Sequence, residues 1–156
     1  MCNDILISLH PRHSANVLAG TKTAELRRRP VRVSPGTRVW IYTTLPEGRV
    51  EALAVVEEVC EGSHAMLWNR FESQLAISRG DFDDYMTGAT NGCAIVLGSV
   101  VRLRKPIGLD DLRRLIRAFQ PPQFFKRLGP DSEELAVFSS LQGSRGLCAR
   151  KSHSRK

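Results

Sequence analysis

The chain has 156 residues and a formal net charge of +7, a length that suits one domain with a core of its own and no need of disulfide or metal staples. No stretch approaches the roughly eighteen apolar residues that cross a bilayer, and the opening Met1-Cys2-Asn3-Asp4 carries an acid where an export signal has a basic segment. Cys2, Cys60, Cys93 and Cys148 are scattered, with no Cys-x-x-Cys pair, so reduced thiols, a cytoplasmic location, no metal, no cofactor and no membrane partner are expected.

The location of the charge says more than its size. Residues 144–156 hold Arg145, Arg150, Lys151, Arg155 and Lys156 and no acid, +5 in all, which leaves +2 for residues 1–143. The predicted division is therefore a folded domain over 1–143 and a basic, disordered tail over 144–156. Such a tail attracts nucleic acid without regard to sequence, and it reads equally as a solvated terminus.

In chain order, Ile5-Leu-Ile-Ser-Leu9 reads as a buried strand. Residues 11–19 follow as a short helix, with Pro11 at its start and Gly20 just past its end. Residues 23–27 alternate as a strand, and Val39 to Thr43 is rich in β-formers. A turn at Pro46-Glu47-Gly48 leads into a long strand from Val50 to Cys60. Helices are predicted near 63–71 and 78–86, the second with Ser78 as N-cap. Cys93 to Leu103 is another long strand, with a bulge or bend at Gly98. Leu109 to Phe119 reads as an amphipathic helix with Leu112, Leu115, Ile116 and Phe119 on one face and Arg113, Arg114 and Arg117 on the rest. A last helix is predicted over about 131–141. Strands dominate the middle, which points to an α+β fold built as a mixed barrel of five to six strands with short peripheral helices.

The chemistry concentrates in Gly20-Thr-Lys22-Thr-Ala-Glu25-Leu-Arg27-Arg-Arg29. On a strand, Ala24 and Leu26 face the core while Thr23, Glu25 and Arg27 share the other face. Lys22 lies in the preceding turn, free to curl to that same side, where Glu25 would keep its amine charged. One carboxylate among two or three cations can accept hydrogen bonds from a base edge while the cations hold a phosphate. The same residues also read as a solvated edge strand with mutual ion pairs. Trp40 and Tyr42 share a face, and Tyr42 is a candidate to stack on a base. Arg12 can extend the cationic rim. His10 and His13 flank Pro11 near the motif, where capping or exposure is the expected role. Arg102, Arg104 and Lys105 extend the basic surface.

The pattern Gly20-x-Lys22-x-x-Glu25-x-Arg27, preceded by a short strand and helix, resembles the signature of the ASCH domain, within the PUA-like superfamily of RNA-associated barrels. The resemblance runs from about residue 4 to residue 128. It takes in Gly36-x-x-Val39-x-Ile41-Tyr42, the Val50–Cys60 strand, Ala94-Ile95-Val96-Leu97, Lys105-Pro106-Ile107 and Pro121-Pro122-Gln123-x-Phe125. It implies a cleft lined by the motif residues Lys22, Glu25 and Arg27 that binds RNA or a nucleotide-like small molecule, to which Tyr42 and Arg12 are added as binding candidates on the residue reading above. It also implies an alternative, an enzyme using Lys22 and Glu25: a ribonuclease, or an amidohydrolase acting on N4-acetylcytidine. That amidohydrolase has a threonine at the position of Glu25, and its catalytic carboxylate maps near Gln74, with Glu72 the closest acid, so this chain departs from it. A domain that docks a protein partner is a third reading.

Residues 144–156 carry almost no apolar content beyond Leu147 to offset their ordering entropy. Truncation after Gly143 is therefore expected to leave the thermal melting temperature nearly unchanged. A drop of many degrees would mean that the tail docks on the body.

Overall fold

The computed structural model describes residues 4–142; the tail expected over 144–156 lies outside them. Six strands and five helices occur among the described residues. In chain order they are β1 (Asp4–Leu9), α1 (Pro11–Ala19), β2 (Ala24–Arg27), β3 (Arg38–Thr43), β4 (Arg49–Ser63), α2 (His64–Leu75), α3 (Arg79–Met86), β5 (Asn91–Gly108), α4 (Leu109–Leu115), β6 (Phe125–Leu128) and α5 (Glu133–Gln142). None of these helices is long and apolar enough to cross a membrane.

The punctuation read from the sequence operates as expected around α1. Pro11 opens the helix. Gly20 closes it at φ 81°, a left-handed conformation that glycine adopts without strain, and its N–H bonds back to the last turn. Ser78 caps α3 by accepting from Asp81 N at 3.0 Å. The bend expected at Gly98 falls at Gly98-Ser99: Ser99 has φ 49°, and the β4–β5 register shifts on both sides of the Val55–Gly98 pair.

The strands form one sheet in the order β2-β5-β4-β3-β1-β6, antiparallel except for β1 against β3. The two edge strands exchange no ladder hydrogen bonds, so the expected barrel is not closed. The sheet is nevertheless strongly curled. Arg27 of β2 donates from Nη1 to the Phe124 carbonyl beside β6 at 3.2 Å, and Arg127 of β6 donates to the Arg32 carbonyl just beyond β2. In a flat sheet those edges would stand five strand spacings apart, roughly 24 Å, far beyond the reach of an arginine. What remains between them is a slot spanned by side chains instead of backbone bonds.

Three apolar clusters hold this shape. Ile5, Ile7, Val39, Ile41, Ala54 and Ile95 pack on one sheet face with Val17 of α1. Leu6, Trp40, Tyr42, Val50 and Ile107 pack on the other face against Leu112, Ile116, Phe119 and Phe138. Ala24, Leu26 and Ala94 pack against Leu67, Phe71 and Leu75 of α2 and Phe82 and Met86 of α3. The predicted helix 109–119 stops at Leu115. Ile116 turns extended, Ala118 takes φ 52°, and Arg117 N donates to Glu133 Oε2 at 3.1 Å. This unwinding turns Ile116 and Phe119 into the core and leaves Leu115 exposed.

β1 is anchored by a buried carboxylate. Asp4 accepts from Trp40 Nε1 at 2.8 Å and from Arg38 Nε at 3.1 Å. Asp4→Ala would leave the buried indole N–H without a partner and is expected to destabilise the fold by about 2–3 kcal/mol in a urea titration. An unchanged midpoint would count against this account.

Candidate functional site

β2 is only four residues long, and its alternation is strict. Ala24 and Leu26 are buried against α2 and α3, which turns Glu25 and Arg27 to the opposite side. Lys22 reaches that side from the turn after α1, where the backbone N–H groups of Thr21 and Lys22 both donate to Asn16 O at 3.0 Å. The Lys22 ammonium then donates to the Leu75 carbonyl at 2.8 Å. A cation there satisfies the free carbonyl at the C-terminus of α2 and lies at the negative end of its dipole. Thr23 completes the attachment, with its N–H on Gln74 O at 2.9 Å and its hydroxyl on Gln74 Oε1 at 3.2 Å.

Glu25 lies between two cations. Its Oε2 is 3.5 Å from Lys22 Nζ and its Oε1 is 3.4 Å from Arg27 Nη2. The three side chains are 3%, 11% and 12% exposed for Lys22, Glu25 and Arg27, so the solvated-edge reading does not hold: this is a buried, partly satisfied charge row. Arg27 Nη2 itself is buried with no hydrogen-bond partner among the described residues. Burial pushes the Lys22 pKa below its ordinary value. Glu25 opposes that shift, while Arg27 and Arg12 add to it. Glu25 thus acts in the expected direction, toward the charged amine, but burial contributes the larger shift.

This row opens into a cleft of about 1130 Å³ at the slot between β2 and β6. Its walls come from the end of β1, the first turn of α1, residues 25–31, α3, residues 88–91 and residues 123–125. Five cations (Arg12, Lys22, Arg27, Arg28 and Arg29) and two carboxylates (Glu25 and Asp81) line it, so it is positive by three charges. Arg12 lies 3.5 Å from Asp81. Arg28 donates to the Thr87 carbonyl at 2.6 Å.

Lys22, Glu25, Arg27 and Arg12 are thus brought together. Tyr42 is not: it is buried on the other sheet face, 6.4 Å from the Phe119 ring between centroids, and does not line the cleft. Trp40 packs on that same face against Phe138. The ring-bearing positions of the cleft are instead Tyr85, Phe124 and Phe125, with His10 and His13 beside them. His10 serves as the N-cap of α1, accepting from Arg12 N at 3.2 Å. His13 is neither a cap nor a solvated side chain. It is half-buried with Nδ1 unpartnered among the described residues, and burial together with nearby Lys22 pushes its pKa down against the pull of Glu25. The sequence signal for it is the His10-Pro-Arg-His13 spacing on the first helical turn. No group of three or more metal-ligating side chains lies together among the described residues.

No protein-family model matches the chain. A curated protein from Zymomonas mobilis, an ASCH domain-containing ribonuclease, is 34% identical over 139 residues, covering 89% of this chain and 93% of its own length. The crystal structure of ASCH from Zymomonas mobilis superposes with a TM-score of 0.82 at 32% identity, covering 90% of this chain and 96% of that one. A hypothetical protein from Leishmania major shares the fold alone, at a TM-score of 0.54 and 14% identity over 88% of this chain and 92% of that one. The chain belongs to the ASCH domain family.

The lowered Lys22 pKa has a defined signature in stability. Between that value and the ordinary 10.5 of the unfolded chain, the unfolded state binds more protons, so stability from this group rises with pH across that window. In urea titrations at a series of alkaline pH values, wild type is expected to gain stability relative to Lys22→Met as pH climbs toward 10.5. Parallel curves would mean that Lys22 titrates normally.

Proposed function

We propose that this chain binds RNA through the cleft between β2 and β6, with Lys22 and Arg27 drawing an anionic or carbonyl group toward the charge row and Arg12, Arg28 and Arg29 taking neighbouring phosphates. The observation that carries the reading is the convergence of five cations on one cleft against two carboxylates. Residues 1–143 as a whole are nearly neutral, so this is a concentrated patch and not a general basicity. Glu25 holds Lys22 and Arg27 in place and offers its remaining acceptor capacity to a ligand donor.

Burial changes which substitutions test this. Glu25→Gln would strand the buried Lys22 ammonium, so it is expected to lower stability as well as binding. Arg28 and Arg29 are exposed, and their removal leaves the core alone. The variant with both replaced by alanine is expected to melt like wild type, to bind single-stranded RNA more weakly, and to show a log–log salt slope shallower by about 0.7 for each phosphate it no longer neutralises. Arg27→Lys cannot reproduce the fork that spans Glu25 and the Phe124 carbonyl, and is expected to weaken binding by about 1.5–3 kcal/mol. Wild-type affinity and slope in both variants, measured by anisotropy, would place the RNA elsewhere or nowhere.

A second reading, RNA cleavage in the same cleft, is favoured by the relative named as a ribonuclease. Lys22 and Glu25 are its candidate residues, and the imidazole of His13 stands beside them as a proton acceptor. Cleavage of a labelled RNA that disappears in Lys22→Met while the variant stays folded would support it. Binding without turnover leaves the first reading alone. The amidohydrolase alternative finds less in the site. The position near its carboxylate is Gln74, an amide already bonded to Thr23, and Glu72 is exposed and away from the cleft walls.

A further inference from the structure

We propose that the cleft accepts an unpaired RNA strand and stacks one of its bases on the Phe124 ring; this rests on the RNA-binding reading above and adds the form of RNA and the side chain that recognises it. Five large apolar side chains are exposed among the described residues: Leu45, Tyr85, Val101, Leu115 and Phe124. Two of them are aromatic, and both line this one cleft. Phe124 is the more exposed of these two, at 62%. Its neighbour Phe125, one residue on in β6, packs against the apolar cluster on the sheet. Phe124 makes no such contribution to the core.

The ring is free, but its backbone is not. The Phe124 carbonyl accepts from Arg27 Nη1 at 3.2 Å, so the same arginine that pairs with Glu25 fixes the main chain that presents the ring. The Arg29 guanidinium stands over the ring at 6.0 Å from its centroid, the outer limit of cation–π attraction. It is close enough to meet the phosphate of a stacked nucleotide and too far to commit the ring. An aromatic platform beside a cationic track is how sequence-tolerant single-strand binding works, since every base has a π-face. In a duplex those faces are already stacked on one another, and a ring on a cleft wall cannot reach them. The cleft volume, about 1130 Å³, lies above the usual range of roughly 300–1,000 Å³ for small-molecule sites, which suits more than one nucleotide.

The test compares three labelled probes by fluorescence anisotropy with the full chain: a short single-stranded RNA, an abasic ribose-phosphate strand of the same length, and the blunt RNA duplex. Wild type is expected to bind the base-bearing strand on the order of tenfold more tightly than the abasic one, the scale of one stacked base. Phe124→Ala is expected to abolish most of that difference while leaving abasic affinity and salt slope unchanged, and Phe124→Trp to keep it. Equal wild-type affinity for base-bearing and abasic strands overturns the stacking proposal and leaves phosphate binding standing, and that comparison needs no variant to fold. A preference that survives in Phe124→Ala, or duplex bound more tightly than single strand, also overturns it. Wild type that binds none of the three at low salt removes this proposal and the RNA-binding reading together.

Discussion

The buried ammonium of Lys22 is the constraint on which the site depends. A lysine that is 3% exposed carries a desolvation penalty that only good partners offset. Two supply them: the Leu75 carbonyl at the end of α2 and the Glu25 carboxylate on β2. Both are fixed by backbone structure, the first by the helix and the second by the β2–β5 ladder, in which Glu25 stands opposite Ile95. The ammonium therefore ties helix to strand at the point where the cleft begins. Arg27 extends the tie through Glu25 to the Phe124 carbonyl, so the charge row also spans the slot. Loss of Lys22 would release a helix end, a carboxylate and, at one remove, the far wall.

The slot explains why positive charge gathers here. Edge strands carry unpaired backbone groups, and a curled sheet that stops short of closure must blunt them. β2 and β6 do so with arginine side chains that reach carbonyls across the gap. That arrangement concentrates guanidinium groups where the sheet is open and backbone oxygens need donors. The cationic cleft thus follows from how this sheet ends, with three positive charges left after Glu25 and Asp81.

The fold and the site are unevenly legible in the sequence, for physical reasons. Pro11 and Gly20 bracket α1 because their backbone preferences are local. The Ala24–Arg27 alternation gives the correct faces because one face is buried against α2 and α3. β6 leaves no such local mark. Phe125-Lys-Arg-Leu128 does not alternate, and what makes it a strand is pairing with β1, more than a hundred residues away. Alternation places Trp40 and Tyr42 on one face but cannot say which face α4 and α5 cover, and they cover that one. The place of Phe124 is invisible for the same reason as β6, since it depends on the long-range pairing. Burial of the charge row is also hidden, because the run of charges from Lys22 to Arg29 looks like surface until a helix end is found above it.

The two halves of the cleft differ in how far their geometry is fixed. Lys22, Glu25 and Arg27 are buried and mutually paired, so their geometry is set before any ligand arrives and little side-chain entropy is lost on binding. Such a row gives a fixed, directional positive end, strengthened by its low-dielectric surroundings. Arg28, Arg29 and Phe124 are exposed, and on the reading proposed above their side chains can follow the varied backbone of an unpaired strand. An anion that reaches the row also acts back on it: negative charge beside Lys22 favours the protonated amine and opposes the downward shift that burial imposes. On the cleavage reading proposed above, a charged lysine serves as a fixed cation, and the imidazole of His13 on the same cleft wall is the group placed to take up a proton.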